Sequence, residues 1–63
     1  MVETRELFHL AVEFEKDTVI FYEMIHSLVE DEATLNQLDS IIKEENSHIV
    51  LFQDLLQGCD PPP

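Results

Sequence analysis

Apolar residues return along this chain at steps of three and four. In the first half the row is Leu7, Ala11, Phe14, Thr18, Phe21, Ile25 and Leu28, with a threonine among the apolar side chains. In the second half it is Leu38, Ile41, Ile42, Ile49, Phe52 and Leu56, with Glu45 and His48 set into the same row. At about 3.6 residues per turn each row falls on one face, so each half predicts a long amphipathic helix. No proline or glycine interrupts positions 3–57, and β-branched runs are short.

The punctuation fits two helices. Thr4 reads as the cap of a first helix over 4–29, and the acidic cluster Glu30-Asp31-Glu32 marks a turn over 30–33. A second helix is expected over 34–57, capped by Asp31 or by Thr34 with Gln37 in a capping box. Gly58 reads as its stop, and 58–63, ending in three prolines, as a frayed tail. Residues 1–63 thus read as one unit: an all-α antiparallel hairpin with a short link.

Two helices shield only part of what these faces carry. Val12 and Val19 widen the apolar face of the first helix, while Ile20 and Met24 lie round its far side, as Val50 and Leu51 do on the second. A chain of 63 residues without disulfides buries little by itself. The expectation is a homodimer, two hairpins forming a four-helix bundle, with the leftover residues pointing on to a larger homo-oligomer.

Charge narrows the partners. Fourteen acids stand against Arg5, Lys16 and Lys43, for a formal charge of −11. Such a surface repels nucleic acid and anionic lipid and draws cations, so neither nucleic acid nor membrane is an expected partner. No stretch approaches the roughly 18 consecutive apolar residues of a membrane span. No basic start precedes an apolar run, and Cys59 alone makes no internal disulfide, so a cytoplasmic location is the default. The apolar content is too periodic for a disordered chain.

The acids inside the apolar rows carry the chemistry. Enclosing a carboxylate is costly unless a cation or a proton meets it. Glu45 lies in the middle of the second row, and Glu15 lies at the edge of the first. With the turn centred between Asp31 and Glu32, Glu15 is about sixteen residues before it, and Glu45 and His48 are about fourteen and sixteen after it. Antiparallel helices therefore set all three at nearly one level, and the i,i+3 spacing lets Glu45 and His48 converge. One chain supplies two carboxylates and an imidazole, and a twofold axis doubles them to four and two. That set matches the di-iron or di-manganese sites of carboxylate bundles, one Glu from each of two helices and Glu-x-x-His from each of the others. Two iron ions per dimer are expected, with manganese or zinc as alternatives, Glu45 bridging and Glu15 binding terminally. The plainer reading keeps Glu45 and His48 as an internal pair that fixes bundle register without metal.

Tyr22 lies two turns beyond Glu15 on nearly the same side. It is placed to donate to a ligand carboxylate of the partner hairpin or to relay electrons; as a core tyrosine it bonds some other polar atom. Thr18, between them, lines the pocket or relieves crowding. A second Glu-x-x-His, Glu23 to His26, is set aside as a ligand pair, because it lies on the polar side with Lys16 and two or more turns from the level of Glu15. His9 is expected to face outward, and Asp17 and Glu44 to face solvent or a neighbouring subunit.

The stretches Glu13-Phe14-Glu15-Lys16-Asp17-Thr18-Val19-Ile20-Phe21-Tyr22 and Ile42-Lys43-Glu44-Glu45-Asn46-Ser47-His48 resemble the first helix pair of the rubrerythrin branch of the ferritin-like superfamily. The likeness spans nearly the whole chain: a glutamate seven residues before an aromatic, then Glu-x-x-His on the next helix. Rubrerythrins hold two irons in one four-helix chain and reduce peroxide or oxidise ferrous iron. Their small two-helix relatives, encapsulated ferritins among them, build the centre across a subunit interface and act as ferroxidases. The resemblance implies a ferritin-like bundle that oxidises ferrous iron with oxygen or peroxide, with an encapsulated compartment as an alternative location. The sequence departs from the pattern in carrying neither a cysteine-rich rubredoxin unit nor a visible cargo-targeting tail. The rival function is a metal-free or structural-metal helical oligomerisation module without redox activity.

Overall fold

The computed structural model describes residues 3–59, which form two helices packed side by side as an antiparallel hairpin. Helix α1 spans Thr4–Leu28 and helix α2 spans Glu32–Cys59. Among the described residues there is no strand, and no helix is long and apolar enough to cross a membrane.

The link is Val29-Glu30-Asp31, shorter and earlier than the turn over 30–33 read from the acidic cluster. Val29 takes an extended backbone and ends α1. Asp31 then starts α2: its Oδ2 accepts from the Thr34 backbone N–H at 2.8 Å and from the Thr34 hydroxyl at 2.6 Å. Its carbonyl accepts from the Leu35 N–H at 2.9 Å. That is an N-cap bond to the third helical residue, so α2 opens at Glu32, two residues before the expected start. Thr34 serves the Asp31 cap as a donor and is not itself a cap. At α1 the cap is Glu3 instead of Thr4, with extended backbone and no side-chain cap bond; the Leu7 N–H donates to the Glu3 carbonyl at 3.1 Å.

Gly58 does not stop α2, which runs on to Cys59. No glycine takes a positive φ, so the left-handed turn that ends helices at glycine is not formed there. A single exposed glycine in a helix costs only about 1 kcal/mol, too little to break a 28-residue element near its end. The rest of the proline tail, 60–63, lies outside the described residues.

The seam between the helices is narrow. Among the described residues only Val12, Val19 and Leu38 are buried, and no large side chain is fully enclosed. Val12 and Val19, expected to widen the apolar face of α1, are the most buried residues on it. Around them Phe8, Ala11, Ile25, Ile41, Ile42, Ile49, Phe52 and Leu56 are half-buried. The Phe8 and Phe52 rings meet at 6.1 Å across the open end of the hairpin. Toward the link, His26 Nε2 lies 3.0 Å from Asp39 Oδ1 and ties α1 to α2.

The two flanks of this seam differ. Leu7, Phe14, Phe21 and Leu28 recur every seventh residue on α1 and are exposed, Phe14 by 70% and Leu28 by 78%. On α2, Leu51 and Leu55 are exposed as well, beside His48. From the seam, the rotation to Phe14 on α1 and to His48 on α2 has the same sense in each helix's own direction. Antiparallel axes turn equal senses into one shared side, so these residues form a single apolar flank. The opposite flank is polar, and a shallow hollow of about 260 Å³ opens there between Glu23, His26, Asp39 and Ile42. Ile20 and Met24, round the back of α1, and Val50 are exposed too.

Candidate metal centre

Glu15 comes from the middle of α1, and Glu45 and His48 from the middle of α2. With the link centred on Glu30, Glu15 and Glu45 each lie fifteen residues from it, so the hairpin sets them opposite one another. One ligand-type atom from each of Glu15, Glu45 and His48 falls within 4.8 Å of the others. Two atoms bound to one ion at about 2.1 Å lie about 3 to 4.2 Å apart, so small side-chain rotations suffice to close this set on a cation. Among the described residues this is the one such group of three.

Its electrostatics are unbalanced. Glu15 is half-buried, and its Oε2 has no contact with solvent and no hydrogen-bond partner. Leaving a buried acceptor unmatched costs about 1–3 kcal/mol, and more when it is charged. Glu45 is 20% exposed, and its Oε1 lies 4.0 Å from His48 Nδ1, beyond hydrogen-bond reach. Glu45 and His48 thus form a long i,i+3 ion-pair contact without a direct hydrogen bond. His48 is half open, at 51%, and sits on the apolar flank. Two carboxylates, one with an orphaned oxygen, and an imidazole held only by a long ion-pair contact fit a divalent cation by chemistry as well as by position.

Tyr22 is half-buried two turns along α1, its ring 5.7 Å from that of Phe21 in an edge-on contact. Thr18 donates its hydroxyl to the Phe14 carbonyl at 2.9 Å, which occupies its donor within its own helix. His9, Asp17 and Glu44 are exposed. Glu23 and His26 stand on the polar flank, where His26 meets Asp39 and not Glu23. Asp39 was not singled out from the sequence; a lone acid on a polar face carries no spacing signal, and only the packed pair reveals its partner.

The fold and this cluster define a helical hairpin with a carboxylate–imidazole group built across its two helices. The chain matches no family model, no curated protein and no solved structure.

Proposed function

We propose that this protein is a metal-holding helical assembly module. Two hairpins associate through the apolar flank into a four-helix bundle, and their Glu15, Glu45 and His48 side chains share divalent cations at the joint. The observation that carries the reading is Glu15 Oε2, buried and unpartnered within reach of Glu45 and His48. The exposed row Leu7, Phe14, Phe21 and Leu28 supports the second copy, since a lone apolar flank of this extent is poorly tolerated in water. A copy docked there also brings its own half-open His48 flank to the same level. The doubled set of four carboxylates and two imidazoles neutralises two divalent ions.

In this arrangement Glu15 and Glu45 supply hard oxygen ligands, and His48 supplies a nitrogen that orients the set. The half-buried seam residues around them limit access of water. Tyr22 is placed near the joint, where its hydroxyl donates to a carboxylate of the other hairpin.

A second reading adds redox chemistry, giving a rubrerythrin-like ferroxidase that oxidises ferrous iron with oxygen or peroxide. It is favoured by the ligand count: three donors per chain leave positions on an ion open, as a reactive site requires and a structural one does not. Iron bound there supplies one electron per ion to the oxidant. The test is anaerobic loading of the metal-free protein with ferrous iron, followed by air. Stoichiometric binding with no ferric absorption band supports the structural module, and a band that grows with turnover supports the ferroxidase. No binding at all removes both.

A further inference from the structure

We infer that the back of α1 docks a basic amphipathic helix of another protein, one with apolar ends and a positively charged middle. This goes beyond the metal-holding reading and does not rest on it, since it uses neither the seam nor the apolar flank.

Leu10, Glu13, Asp17, Ile20 and Met24 follow one another along α1 at alternating steps of three and four. That spacing averages about 3.5 residues, the repeat by which one helix presents a straight row to another. At about 100° per residue the five fall on one side of α1, turned away from α2. All five are exposed, Leu10 and Ile20 by 63% each and Met24 by 53%. The row is about 21 Å long at about 1.5 Å per residue, enough to seat four turns of a partner helix. Apolar side chains hold its two ends and two carboxylates hold its middle.

The acids decide which helix fits. A second copy is a poor match, because the row is symmetric about Asp17. Laid antiparallel, a copy sets Asp17 against Asp17; laid parallel, it sets both acids against themselves. Like charges placed opposite one another on packed helices are unfavourable, and charged groups within an otherwise apolar row select against such partners. The chain's own basic residues, Arg5, Lys16 and Lys43, lie outside the row. Lys16 reaches Glu13 only at 3.9 Å, with both side chains open to solvent. An exposed contact of that kind contributes little, so a partner's arginine replaces it at small cost and gains a forked geometry that suits a carboxylate. Leucine-like side chains of the partner then cover Leu10 at one end and Ile20 with Met24 at the other, as in helix-on-helix recognition generally. The formal charge of −11 draws a basic helix in from a distance.

The probe is a fluorescein-labelled helical peptide as long as the row, with leucines at its ends and two arginines at its middle. Its control carries glutamates in place of the arginines. Anisotropy follows binding to the full chain, with chelator present throughout. Wild type is expected to bind the arginine peptide at least about tenfold more tightly than the glutamate peptide, with affinity falling as salt is raised. The double variant Glu13→Arg, Asp17→Arg is expected to reverse that preference. Glu23→Arg with Glu30→Arg makes the same change of charge at exposed positions off the row, and is expected to bind within about twofold of wild type. Ile20→Lys is expected to weaken the arginine peptide on the order of tenfold. No binding of the arginine peptide, equal binding of both peptides, or a loss in the off-row variant as deep as in the on-row one overturns the proposal. Circular dichroism shows whether each variant folds, and if the on-row double variant does not, Ile20→Lys decides in its place. None of these outcomes depends on Mn(II) binding, so the metal-holding reading stands or falls separately.

Discussion

Glu23 to His26 and Glu45 to His48 share a spacing and differ in their surroundings. The first lies on the polar flank near the link, where His26 reaches across to Asp39 at 3.0 Å. The second lies over the seam, its two members 4.0 Å apart, with the unmatched oxygen of Glu15 opposite. In one case the neighbouring helix completes the histidine; in the other it adds a further acid and leaves the group short of positive charge. The motif alone therefore says little. What distinguishes a ligand pair from a surface tie is whether the packed neighbour supplies the missing charge or increases the need for it.

If the seam beneath Glu45 creates that difference, weakening the seam must erase it. Leu38→Ala removes one of the three buried side chains among the described residues and is expected to cost about 2–3 kcal/mol, the low end for a leucine in so shallow a core. Urea unfolding measures the loss, and metal affinity should fall with it. Tyr22→Phe sharpens the comparison on the metal side. Under the ferroxidase reading it slows ferrous oxidation on the order of tenfold while leaving metal affinity nearly unchanged, as loss of an outer-shell hydrogen bond does. Stopped-flow absorbance after air addition checks the rate.

The polar flank should respond weakly. His26→Ala breaks the tie to Asp39, and because both groups are substantially exposed the cost is expected to be at most about 1 kcal/mol. Thermal unfolding measures it, with metal binding unaltered. Smallest is the effect at the link. The Thr34 hydroxyl and then the Thr34 N–H hold the Asp31 carboxyl below its ordinary value of 3.8. A lowered folded pKa means this cap stabilises the protein above about pH 3.8 and the gain is lost as pH falls through the lower folded value. Helicity of the metal-free protein should therefore drop on acidification in that window, and Asp31→Ala should remove that part of the drop without affecting either Glu-x-x-His pair at neutral pH.

Much of the hairpin was legible because it depends on period and symmetry. Steps of three and four give two helices, and equal distance from a central link puts Glu15 opposite Glu45 whether the link is centred on Glu30 or one to two residues later. The seam was less legible. Large apolar residues such as Phe14 and Phe21 dominate the pattern of α1, yet the packed centre is Val12 and Val19, small β-branched side chains that let the helices approach closely. Hydrophobic periodicity marks a wide face and cannot say which part of it meets the nearer neighbour. Of the two caps the sequence offers for α2, Asp31 and Thr34, the structure takes Asp31, whose carboxylate accepts two bonds from Thr34, so the helix opens earlier than the apolar row suggests; at the other end one glycine does not outweigh the bonds that carry the helix past it.

The claim that Glu15, Glu45 and His48 form a metal site, while Glu23 and His26 do not, is tested most directly by equilibrium Mn(II) binding to wild type, Glu23→Ala and Glu45→Ala side by side. One ion per chain in the first two, with affinity reduced by more than about a hundredfold in the third, is the expected result. Unchanged binding in Glu45→Ala, or binding lost in Glu23→Ala, would contradict it.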